Sequence, residues 1–101
     1  MLSHMVYFTL NDGSEAACQA LVDSANQHLR DHDGVAFFAA GTLTPDLNRP
    51  VNDREFHVTL NIVFESREVH DVYQTSENHL AFIARNKDSW KQVRVFDADV
   101  T

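Results

Sequence analysis

The chain has 101 residues, 44% of them hydrophobic and 23% charged, and a formal net charge of −7. That length supports one modest core, a single domain over residues 1–101, and the composition is globular rather than disordered. The negative charge repels phosphate backbones and anionic lipid headgroups, so neither nucleic acid nor a membrane surface is an expected partner.

A single cysteine, Cys18, rules out an intramolecular disulfide, and the first residues lack the basic-then-apolar pattern of a leader. No apolar window is long enough to span a bilayer, and a cytoplasmic location is expected. Leu2 to Leu10 alternates in period two, with Leu2, His4, Val6, Phe8 and Leu10 on one face and Ser3, Met5, Tyr7 and Thr9 on the other. Asn11 to Ser14 is a turn with capping side chains. Cys18, Leu21, Val22, Ala25 and Leu29 then fall at helical spacing, which predicts a helix over 14–33 that ends at Gly34. Cys18 lies on the apolar stripe and reads as a small core residue.

Residues 35–43 read as a strand with space for a bulky neighbour at Gly41, and residues 44–53, holding both prolines, as a loop. A third strand over 56–65 places Phe56, Val58, Leu60, Ile62 and Phe64 on one face, with His57, Thr59, Asn61 and Val63 on the other. Ser66 is a natural N-cap for the helical segment that follows. Val69, Val72 and Tyr73 form one stripe; His79, Phe82 and Ile83 form another, and the polar run Gln74 to Asn78 between them predicts a break. A final strand runs from Trp90 to about Ala98, with Trp90 and Phe96 as packing residues.

The order βαββαβ gives an α+β, ferredoxin-like plan: a four-stranded antiparallel sheet with the helices on one face. The uncovered face carries Met5, Tyr7, Val63, Arg94 and Phe96 and is too apolar to stay wet. A homodimer through that sheet face, closing a dimeric α/β barrel, is the expected solution.

Four segments carry a resemblance: the opening Ser3-His4-Met5-Val6-Tyr7-Phe8, the strand end Val63-Phe64-Glu65-Ser66, Tyr73 followed by His79, and the closing Val95-Phe96-Asp97. In this order they make the chain resemble the stress-responsive α/β barrel (Dabb) family over nearly its whole length. The resemblance implies a ferredoxin-like fold that closes into a barrel across a dimer interface. In one plant branch, the olivetolic acid cyclase group, a linear polyketide is closed in a cavity between sheet and helices. By resemblance, Tyr73 and His79 take the places of that branch's Tyr and His, and Asp97 the place of its Asp. Two departures stand out. A His of many relatives falls on Val58, whereas this chain has His57, which strand parity sends to the opposite, dimer-side face. The relatives' His-Pro-Ala-His reads Ser76-Glu77-Asn78-His79 here, without the proline.

Six residues along an unbroken helix rotate Tyr73 and His79 about 240° apart, so they can share a pocket only across a kink. Given the kink, His79 is the candidate general base, Asp97 the group that holds its tautomer, and Tyr73 the donor to a developing oxyanion. His4, Val6, Val58 and Val95 are the candidate lining for a small, mostly apolar carbonyl ligand. Two readings stay open: acid–base chemistry in a sheet–helix cavity, or a non-catalytic homodimer in which the His–Asp–Tyr group is structural. His28 and His32 have the i, i+4 spacing of a chelating helix pair but no clear third ligand, and His70 reads as surface. No metal and no cofactor are expected.

Overall fold

The alternation of the first strand organises the molecule. In the computed structural model, which describes residues 1–101, β1 (Leu2–Leu10) buries Leu2, His4, Val6, Phe8 and Leu10 and leaves the alternate residues half-buried on the other face. It is followed by α1 (Glu15–Leu29), β2 (Val35–Thr42), β3 (Val58–Phe64), α2 (Arg67–Gln74), α3 (Glu77–Asn86), a 3₁₀ turn (Lys87–Ser89) and β4 (Trp90–Asp99). The strands form one antiparallel sheet in the order β2-β3-β1-β4. This is the ferredoxin-like plan, with its second helix in two pieces.

The core lies between the helices and one sheet face. Cys18, Leu21, Val22, Ala25 and Leu29 of α1 and Phe82 of α3 pack with Val58, Leu60, Ile62 and Phe64 of β3 into one continuous cluster. Each fully buried Leu, Ile or Phe contributes about 1.5–3 kcal/mol of transfer free energy. Burial pushes the Cys18 thiol pKa up, consistent with a small packed residue rather than a nucleophile.

Three boundaries differ from the sequence reading. The helix α1 ends at Leu29, so residues 30–33 form a turn, and His32 does not share a helix face with His28. The strand β3 starts at Val58. Phe56 therefore escapes strand parity and packs on the outer face against Tyr7, ring centroids 4.9 Å apart. His57 is likewise outside the strand. Its Nδ1 accepts from the Leu10 N–H (2.9 Å), and its ring lies against Gly13, where an added Cβ would meet Nε2 at 2.7 Å. The residue ties the end of the sheet together instead of lining the outer face. At Gly41 the space above the backbone is open, as its sequence context suggested.

Candidate functional site between the sheet and the broken helix

Ser76 creates the site. It is the N-cap of α3, its Oγ accepting from the His79 N–H (3.2 Å), and the same hydroxyl donates to the Tyr73 carbonyl (2.8 Å). One side chain thus ends α2 and begins α3, supplying the break that a proline gives in other sequences. The turn brings the Tyr73 and His79 rings to 4.6 Å between centroids.

They meet in a cavity of about 190 Å³, whose wall is mostly apolar and includes His4, Val6, Leu60, Phe82, Trp90 and Val95. That is roughly six waters of liquid volume and smaller than a typical drug-sized ligand site. Two lining residues on the edge strand, Val93 and Val95, are 40% and 48% exposed, so the cavity opens past β4. Trp90 contributes a buried indole Nε1–H with no hydrogen-bond partner.

His79 Nδ1 is 2.9 Å from the Gln74 carbonyl oxygen. A carbonyl only accepts, so Nδ1 carries the proton, and Nε2 of the neutral ring presents a lone pair. Burial lowers the His79 pKa below the ordinary imidazole value; the Gln74 bond raises it in part, and His4, His70 and His32 lower it further. At neutral pH the ring is uncharged. Tyr73 is 2% exposed, and burial pushes its phenol well above the usual range, keeping the hydroxyl a donor.

The expected contact between His79 and Asp97 does not form. Asp97 faces His4 across the β1–β4 register, and the His4 Nδ1–H donates to its Oδ1 at 2.5 Å. The strand pairing fixes that partnership, because directly opposite residues of antiparallel strands share a face. Val58, a proposed lining residue, is also absent from the cavity; it sits on a central strand, fully buried in the core.

His70, which reads as surface in the sequence, lies on the inner face of α2. Its side chain is 14% exposed, packing against Phe64 (5.5 Å between centroids) and His4 (5.2 Å). The inner face of α2 is Val69, His70, Tyr73 and Gln74, whereas Val72, placed on the apolar stripe, is 64% exposed. An eight-residue helix gives too few turns for its phase to be read from apolar residues alone. His70 also hydrogen-bonds Asp71 Oδ1 through Nδ1 (3.0 Å) and lies near the Gln74 amide through Nε2 (3.2 Å). One ring nitrogen each of His4 and His70 and one carboxylate oxygen of Asp97 lie within 4.8 Å of one another.

A larger hollow of about 470 Å³ lies on the opposite sheet face, between Met5, Tyr7 and Phe96 and the loop bearing Leu47, Val51 and Phe56. Its charged wall groups include Arg94 and Asp53, paired at 2.9 Å; that hydrogen bond chiefly holds the Asp53 carboxyl below its usual range. With no histidine in its wall and the Asp53 carboxylate tied to Arg94, it offers less chemistry than the smaller cavity.

The model of the stress responsive A/B barrel domain matches residues 2–100. The chain belongs to that family. No curated protein matches it in sequence. Among solved structures it is similar to a Dabb family protein with a ferredoxin-like fold from Mesorhizobium loti (20% identity, 99% of this chain and 96% of that one covered, TM-score 0.80). A dimeric ferredoxin-like protein from Thermobifida fusca is similar at 12% identity, with 98% and 90% covered and a TM-score of 0.81. So is a hydroxynitrile lyase from Passiflora edulis, at 16% identity, 99% and 93% covered, TM-score 0.77. At such identities these likenesses show the A/B barrel family's fold alone. No helix of this Dabb chain is long and apolar enough to cross a membrane.

Proposed function

We propose that the cavity beneath the broken helix binds a small, mostly apolar carbonyl compound and removes a proton beside its carbonyl group. His79 Nε2 is the base, and Tyr73 donates a hydrogen bond to the enolate oxygen that develops. The observation that carries this reading is the pairing of a neutral imidazole, with Nε2 unprotonated, and a protonated phenol at 4.6 Å in a mostly apolar wall. The Gln74 carbonyl accepts from Nδ1–H and eases the charge on the ring when Nε2 takes the proton. Asp97 acts at one remove, holding the tautomer of His4, which with Val6 and Val95 lines the cavity. The volume of about 190 Å³ limits the ligand to a compact molecule. The Passiflora edulis neighbour is named a hydroxynitrile lyase, so this fold accommodates catalysis elsewhere.

The chain acts as a homodimer in this reading. Phe96 is 54% exposed beside Met5 and Tyr7 on the sheet face that the helices leave bare, and the Thermobifida fusca neighbour is described as dimeric. Sedimentation should give twice the chain mass, and Phe96→Glu should shift the species toward one chain.

The test of the chemistry is exchange of α-hydrogens in D₂O, followed by proton NMR over a panel of small ketones and aldehydes. At least one compound should exchange faster than in buffer, with His79→Gln losing about 10²–10⁴-fold of that rate. Exchange at the buffer rate across the panel, or enhanced exchange that survives in His79→Gln, would reject the proposal.

A further inference from the structure

We propose that His4, His70 and Asp97 together bind a zinc-class divalent transition metal ion where β1, α2 and β4 meet. The donor set is two imidazoles and one carboxylate, a combination that suits zinc and its neighbours and leaves coordination positions open. The three ligand atoms already lie within 4.8 Å of one another. In tetrahedral geometry with bonds of about 2.0–2.1 Å, donor atoms sit about 3.3 Å apart. Assembly around an ion therefore needs only side-chain adjustment. Asp97 can supply it: its side chain is 47% exposed on the edge strand, while His4 is fixed in the core.

The groups around the trio favour a ligand role. Asp71 accepts from His70 Nδ1–H at 3.0 Å, which orients the ring and leaves Nε2 with its lone pair. The Gln74 amide nitrogen lies 3.2 Å from that Nε2, where a flexible side chain is readily displaced by an ion. His4 now donates its Nδ1–H to Asp97; an ion taking both groups would replace that hydrogen bond, with the neutral ring carrying its proton on Nε2 instead. His4 belongs to both the trio and the cavity wall, so the ion would sit beside the cavity that holds Tyr73 and His79. The ligands come from positions 4, 70 and 97, and no sequence spacing links them. Sequence spacing points only to His28 and His32.

The proposal does not rest on the acid–base reading, since neither His79 nor Tyr73 is a ligand. The test is isothermal titration of the metal-stripped full chain with zinc chloride, repeated with cobalt(II) chloride and followed by visible absorption. Wild type should bind one ion per chain, and the cobalt spectrum should show four- or five-coordinate nitrogen and oxygen ligation. His70→Leu and Asp97→Asn should each weaken binding by about 10–100-fold, and His28→Gln should leave it unchanged. Circular dichroism checks that the variants are folded, and His70→Gln is a milder substitute if His70→Leu is not. Absence of one-to-one binding at millimolar zinc, or binding that keeps its wild-type strength in folded His70 and Asp97 variants, would overturn it.

Discussion

Replacing Ser76 with alanine isolates the joint that builds the cavity. The change removes the N-cap of α3, whose loss typically costs about 1 kcal/mol. It also removes the hydroxyl donated to the Tyr73 carbonyl; that oxygen keeps the Ser76 N–H at 3.1 Å, so the further loss is only about 0.5 kcal/mol. The sum, about 1.5 kcal/mol, corresponds to a fall in melting temperature of about 6–12 °C for a domain of this size. Calorimetry at one fixed protein concentration measures it, because association shifts melting. Ser76→Asp separates the two parts, since a carboxylate caps the helix but cannot donate to a carbonyl. It should recover about 1 kcal/mol and remain short of wild type by the rest. If Ser76→Ala melts within a degree of wild type, or Ser76→Asp recovers nothing, the hydroxyl does not hold the break.

Stability should also depend on pH through His79. Its folded pKa lies below that of the unfolded chain, so the neutral ring's contribution is complete above about pH 6.5 and is lost as pH falls through the folded value. Urea unfolding at pH 7.5 and 5.5 should show wild type losing more stability than His79→Gln; equal losses would contradict the assignment. Gly34→Ala should lower unfolding free energy by about 2–4 kcal/mol in the same assay. Gly34 has φ +88°, and an added Cβ would meet the Val69 Cγ1 at 2.5 Å, so a neutral result would mean that the turn and α2 yield freely.

Period-two alternation carried most of the fold. It placed β1 and β4 near their observed bounds and identified Leu60, Ile62 and Phe64 as core. Helical spacing did the same for the five buried residues of α1. The break after Gln74 was legible because a polar run separates two apolar stripes, with Ser76 available as a cap. Strand register was not legible. Parity put His4 and Asp97 on helix-side faces, but only the pairing of β1 with β4 sets them opposite each other and leaves His79 to a backbone carbonyl. Parity also misled where a strand had not yet begun, at Phe56 and His57. The burial of His70 was hidden because a polar residue carried the inner face of a short helix whose Val72 points outward. The unpartnered Trp90 Nε1 gave no signal beyond its residue type.

The most direct measurement is the tautomer and titration of His79, read from long-range ¹H–¹⁵N spectra of the imidazole rings. The structure requires the proton on Nδ1, a lone pair on Nε2, and a midpoint below the ordinary histidine value. A neutral His79 ring protonated on Nε2, or a midpoint above that value, would leave the cavity without its base.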